Sequence, residues 1–247
     1  MDIDTQTGAL LAVGEGISQL LASEPVCVQY MAHFIAAAQR ERQDEGRSAW
    51  PEAVQRVISG LQARSLEGVS RIYHVSSDYY SWPLYQRALC MRAPSKHHLC
   101  KLVVMENKRW RPTASANGWE NAQYYCVIVQ YVHSINTGAM ADFVRSLDGN
   151  KVAKKHFNFR LTDASTTLEL TGFGKNGVSP IGMTHELPIV LCAAIMRLSP
   201  PVLWLGAGHV DFKLALPVQD FVDKTQCLIA DISAPNSDGE QATPPDA

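Results

Sequence analysis

The segment Thr171 to Met183, TGFGKNGVSPIGM, concentrates glycine, asparagine and proline in one short stretch. Such punctuation is incompatible with regular helix or strand. Gly172, Gly174, Asn176 and Gly177 can all adopt positive φ, so the chain can turn tightly and direct several backbone N–H groups toward one point. A nest of this kind suits an oxyanion, a carboxylate or a phosphate. An ordinary glycine-rich turn between strands accounts for the same composition. Two phosphate-binding motifs do not fit. A Walker A loop needs Lys and then Ser or Thr after its last glycine, whereas Gly177 is followed by Val178, Ser179 and Pro180. The dinucleotide fingerprint needs a helix opening on the glycines, and no helical pattern follows. Ser179 lacks the glycine-x-serine-x-glycine elbow of a nucleophile and reads as loop structure or a substrate hydrogen bond.

Lys101 interrupts an apolar run (Leu99, Leu102, Val103, Val104). Burying its ammonium without an anionic partner is costly, so either it meets an anion or it stands at a strand edge in water. His209 lies in the turn Gly206-Ala207-Gly208-His209, where it is open to a ligand contact or to a purely local role. His97 and His98 have no carboxylate or cysteine nearby at ligand spacing, and no metal or other cofactor is expected. Trp110 and Trp119 lie among Lys108, Arg109 and Arg111, a mixture suited to stacking single-stranded nucleotides or to anchoring a long loop. A second basic segment holds Lys151, Lys154, Lys155 and Arg160, so two basic stretches can flank one anionic ligand, or can simply be solvated.

The elements that must position these residues follow from periodicity. Gly8 to Ala63 reads as helical, with apolar residues at three- and four-residue spacing: Leu10, Leu11, Val13, Ile17, Leu20 and Leu21, then Val28, Met31, Phe34 and Ile35. Gln39 to Arg47 is polar and reads as an exposed helix end and its connection. Ser48 before Trp50-Pro51-Glu52 opens a further helix carrying Val54, Val57, Ile58 and Leu61. Beyond Gly68, β-branched and aromatic runs predict strands at 99–105, 124–132, 157–161, 166–171, 189–196, 202–205 and 212–216, with a helix over 137–147. Residues 107–123 form a long loop, and the acidic stretch from about Ser233 reads as a disordered tail. The order of elements implies a mixed α+β core.

With 247 residues, 46% apolar and 19% charged, the chain can bury a large core without disulfides. Its six cysteines are scattered and read as reduced, mostly buried thiols. The absence of a long apolar span and the acidic start MDIDTQTG predict a soluble, unexported, cytoplasmic protein with no membrane partner. A net charge of −2 argues against a duplex-DNA binder.

One resemblance joins these observations. NGVSPIGM followed by LPIVL (Leu187 to Leu191) resembles the loop and strand of the YbaK-like, prolyl-tRNA-editing superfamily. CKLVVMEN (Cys100 to Asn107) resembles that family's lysine-bearing strand, and LWLGAGHVDFKLAL (Leu203 to Leu216) its strand, glycine turn and strand. The similarity runs from about Ile72 to Asp231. It departs at Asn176, where the family usually has glycine. The resemblance implies a partly closed, barrel-like mixed sheet surrounded by helices: an N-terminal helical extension (1–67), an aminoacyl-tRNA deacylase domain (68–232) and a tail (233–247). It further implies hydrolysis of the ester on mischarged tRNA, with Lys101, Gly177, Val178 and Ser179 as the catalytic set and Asn176, Pro180, Gly206, Gly208 and His209 contacting substrate. In that scheme loop backbone positions the water, and the partners are a charged tRNA 3′ end and an aminoacyl-tRNA synthetase. The alternative is a catalytically weak tRNA-binding or synthetase-associated module.

Overall fold

A computed structural model describes residues 24–41, 48–112 and 119–236. The helical reading of Leu10 to Leu21, most of the polar Gln39–Arg47 connection, the tip of the 107–123 loop and the last residues of the tail lie outside them. The described fold is α+β. Its elements run α1 (Glu24–Glu41), α2 (Glu52–Ala63), β1 (Arg71–His74), α3 (Leu84–Cys90), β2 (Cys100–Asn107), β3 (Tyr124–Gln130), β4 (His133–Ile135), α4 (Thr137–Leu147), β5 (Phe159–Leu161), α5 (Ala164–Thr171), β6 (Ile189–Cys192), β7 (Val202–Gly206), β8 (Phe212–Pro217), α6 (Val218–Thr225), β9 (Leu228–Ala230) and β10 (Ser233–Pro235).

A five-stranded sheet has the order β5-β2-β3-β6-β9, and a three-stranded sheet the order β1-β8-β7. β2 and β3 pair antiparallel, with Lys101 opposite Val129, while β3, β6 and β9 are parallel. Central position explains the sequence of β3: YYCVIVQ is apolar on both faces, and Tyr125 to Gln130 are all buried. The two sheets touch through one parallel bridge, Leu99 to Trp204, but are not closed into a barrel as the resemblance implied.

Helix α2 buries Val54, Val57, Ile58 and Leu61, the stripe that its spacing predicts. These side chains join Leu102, Val104, Leu203, Leu205 and Ile181 in the main core, so the helix lies directly behind the glycine-rich segment. At roughly 1.5 to 3 kcal/mol for each large apolar side chain, this stripe is a major attachment of that segment to the sheets. The other face of the three-stranded sheet is covered from α1, where Phe34 meets Trp204 edge-on at 6.2 Å, and by Ala88 and Met91 around α3.

Three expectations are corrected. Residues 166–171 form helix α5, not a strand. The Asp163 carboxylate accepts the Thr166 N–H at 2.7 Å, Gly172 ends the helix at φ 72°, and the β-branched threonines are absorbed because Thr171 Oγ1 donates to the Thr167 carbonyl. Ser233 to Pro235 form a strand antiparallel to β4, and Asn236 N–H continues it to the Val132 carbonyl, so the tail begins later than its composition suggested. The strand expected over 189–196 stops at Cys192, and Ala193–Arg197 turn into 3-10 helix.

Candidate active site

A cleft of about 160 Å³ opens between β2, the start of α5, the Lys175–Val178 loop and a wall of tyrosines. Lys101 stands on its floor beside Val103 and Val104; Asn176 and Val178 form one rim with Gly206; Tyr80 and Tyr131 form the wall. Opposite, Leu161, Thr162 and Thr167 close it, and the two threonine hydroxyls are bonded to each other at 2.8 Å.

The Lys101 ammonium lies 5.7 Å from the Tyr131 ring centroid. Among the described residues no carboxylate pairs with it, and partial burial holds its pKa below the ordinary lysine value. A half-buried cation on a tyrosine face, without a counter-ion, is a prepared anchor for an anionic or strongly polarised group.

The loop rim is fixed by close backbone packing. Asn176 adopts φ 64°, so asparagine meets the conformational demand that glycine would otherwise serve. Its carbonyl accepts from the Tyr80 hydroxyl at 2.8 Å, and Lys213 Nζ reaches the same oxygen at 3.5 Å. Gly177 N–H donates to the Gly174 carbonyl and Gly208 N–H to the Gly177 carbonyl, tying the loop to the Gly206–His209 turn. Contact is so tight that a Cβ on Gly206 would lie 2.4 Å from the Val178 carbonyl oxygen. From behind, Arg56 on α2 donates to the Gly172 carbonyl at 2.6 Å and lies over Phe173. Asn176 and Val178 line the cleft, and among the described residues no intramolecular hydrogen bond is made by their N–H groups.

The predicted residues therefore divide. Lys101, Asn176, Val178 and Gly206 line the cleft. Gly177, Ser179, Pro180 and Gly208 are buried behind its rim. Ser179 is fully buried, and its hydroxyl accepts the Ile181 N–H, so it braces the loop and has no access to a substrate in this cleft. His209 is outside the cleft, half-exposed, with Nδ1 accepting the Asp211 N–H and 3.7 Å from the Asp211 carboxylate.

Other participants had no site role assigned from the sequence. Tyr80 belongs to the group Tyr79, Tyr80 and Trp82, which reads from the sequence as core or pocket wall, and lies in a 3-10 turn, while Tyr131 was expected within the strand over 124–132 and instead follows β3. Burial pushes both phenols above their ordinary range, so they stay neutral donors. Arg87 is buried, donating to the Tyr80 carbonyl at 2.6 Å and the Trp82 carbonyl at 2.8 Å, which holds the tyrosine wall in place. Lys213 does have a signal in the sequence: FKLALP, like CKLVV, sets one lysine in an apolar strand.

The remaining candidates have structural partners. His98 is buried with Nε2 on the Pro200 carbonyl and Nδ1 on Ser95 Oγ, and burial lowers its pKa to about 4. Trp110 Nε1 donates to the Asn121 carbonyl at 2.7 Å, which anchors the long loop, whereas Trp119 is 41% exposed. The two basic stretches do meet: Arg109 Nη1 donates to the Lys155 carbonyl, and Arg160 lies opposite Glu106 next to cleft residue Leu161. Cys100 touches the cleft, but burial pushes its thiol up and it donates to the His98 carbonyl. All six cysteines are free. No described helix is long and apolar enough to cross a membrane.

No family model and no curated protein matches this sequence. Solved structures do match in shape. A candidate trans-editing enzyme for prolyl tRNA synthetase superposes with a TM-score of 0.58 at 17% identity, over 75% of this chain and 99% of its own. A scaffold protein from work on epitope backbone grafting by computational design gives 0.58 at 16% identity, over 76% and 100%. A hypothetical protein gives 0.53 at 19% identity, over 72% and 99%. At these identities the likeness establishes a shared fold.

Proposed function

We propose that the chain is a trans-editing aminoacyl-tRNA deacylase, hydrolysing the ester of a mischarged tRNA in the Lys101 cleft. The observation that carries this reading is the placing of Lys101, which has no carboxylate partner among the described residues, across one small cleft from the Asn176–Val178 loop backbone, on a fold shared with a candidate editing enzyme. The ester carbonyl would sit against the Asn176 and Val178 N–H groups, which favour the oxyanion of the tetrahedral intermediate over the neutral ground state. Lys101 would hold the polarised aminoacyl or ribose-phosphate end of the substrate.

Water is the nucleophile in this scheme. The Cys100 thiol is kept protonated by burial, the Thr162 and Thr167 hydroxyls bond to each other without a base, and Ser179 is sealed behind the rim. No side-chain base is required of the cleft in this scheme: the terminal ribose hydroxyl next to the ester would relay the proton from the attacking water to the leaving ribose oxygen. Attack forms the C–O bond to water, the tRNA ribose oxygen leaves as the hydroxyl with the proton released by that water, and free amino acid departs.

The test is amino-acid release from a panel of mischarged tRNAs by the wild type and by Lys101→Ala. The expected result is turnover by the wild type on at least one small-side-chain ester and roughly a hundredfold loss in the variant. Wild-type release no faster than spontaneous hydrolysis, with tRNA still bound in a salt-dependent manner, would instead identify a tRNA-binding module.

A further inference from the structure

We propose that Lys213 is a positioning residue that locks the Asn176 loop and the Gly206–Asp211 turn onto the tyrosine wall of the cleft. Lys213 stands on β8, 4% exposed. Its Nζ donates to the Val210 carbonyl at 2.6 Å and reaches the Asn176 carbonyl at 3.5 Å. It lies 4.6 Å from the Tyr80 ring centroid and 5.2 Å from that of Tyr79. One amine thus touches the turn, the loop and the wall at once, and Tyr80 returns to the same Asn176 oxygen. This role rests on the deacylase reading only for its effect on catalysis; the lock itself is a property of the fold.

The lock responds to pH. The groups facing Lys213 are Asp211 beside its own strand, Arg87 from α3, and the rings of Tyr79 and Tyr80, with Tyr131 lying under Arg87. Burial lowers its pKa to about 7, with Arg87 adding to the shift and Asp211 opposing it. Lifting the Asn176 loop admits water to the amine and returns its pKa toward the ordinary value. Protons then bind the open form more tightly than the closed one, so acid favours opening and pH above 7 favours the closed loop.

Amide exchange in the full chain tests this without any substrate. Gly177 and Gly208 N–H report the loop, since their bonds join it to itself and to the turn. In the wild type, opening corrected for intrinsic rate should increase about tenfold between pH 8 and pH 6. Lys213→Met should abolish that step, and Tyr80→Phe should raise opening at both pH values while keeping it. A wild-type opening rate independent of pH, or a step that survives in Lys213→Met, overturns the lock. In deacylation at pH 8, Lys213→Met should lower kcat about tenfold with KM near wild type. Unchanged kcat in that variant overturns the positioning role. If the wild type cleaves no ester, the functional reading fails while exchange still decides the lock.

Discussion

The β2 floor and the β8 side of the tyrosine cage each carry one lysine in an apolar strand, yet the two are put to different uses. Lys101 opens onto the cleft, lies on one tyrosine ring and has no hydrogen-bonded carbonyl or carboxylate among the described residues. Lys213 is enclosed by two rings and two carbonyls. Solvent access makes the difference. The first can remain an ammonium awaiting an anion, while the second is desolvated enough to titrate near neutrality and serves as a structural contact. A lysine in an apolar strand therefore marks a site without saying whether it faces a ligand or the core.

The largest effect that sharpens this contrast is on stability. Lys213 has a folded pKa of about 7 against an ordinary value of 10.5. Below pH 7 both states hold the proton, and the folded state bears the full desolvation cost. As pH rises from 7 toward 10.5 the folded state loses its proton first, so stability should climb. Denaturant titrations should show the wild type gaining roughly 4 kcal/mol over this range relative to Lys213→Met. Equal slopes for the two proteins would place Lys213 in contact with water and erase its difference from Lys101.

A smaller loss is expected from closing the seam between the two glycine segments. In Gly206→Ala the new Cβ meets the Val178 carbonyl at 2.4 Å and the Gly177 carbonyl at 3.0 Å, all backbone and unable to swing aside. The predicted cost is about 3 kcal/mol, visible as a lower midpoint in thermal unfolding. The loop should be displaced while the strands holding Lys101 stay in place. Tight tRNA binding with lost turnover would then separate the anchoring floor from the positioning rim.

These local results also explain which parts could be read in the sequence. The α2 stripe and the α4 helix were legible because one periodicity fixes one burial pattern, and the central strand β3 because its unbroken apolar run suits burial on both faces. The irregular glycine segment was legible as a turn because its residue types admit little else. Helix α5 was misread, since Thr166 and Thr167 favour strands in isolation while the Asp163 cap and Gly172 stop that overrode them are single residues. The tyrosine wall was hidden for a different reason. Tyr80, Arg87, Tyr131 and Lys213 meet only after α3 and β8 pack, and no spacing along the chain encodes that meeting. Ser179 shows the converse: next to chemically suggestive neighbours in sequence, it is turned into the core in space.

The least perturbing test concerns Asn176, the point at which the sequence departs from the pattern it resembles. Its backbone carries the function assigned to the loop: the carbonyl holds Tyr80, the residue lines the cleft, and φ is 64°. Its side chain makes no hydrogen bond among the described residues. Replacing it by glycine keeps every one of those backbone features and removes the mild strain of a left-handed asparagine. Glycine also widens the unfolded ensemble, so the net change in stability should stay within about 1 kcal/mol. Turnover of Asn176→Gly should remain within about threefold of wild type, whereas Asn176→Ala, which tolerates this φ less well, should lose roughly 1 kcal/mol of stability. If glycine instead raises turnover tenfold or more, the asparagine side chain is obstructing the cleft, and the rim would be a limiting feature of the site where the geometry makes it a permissive one.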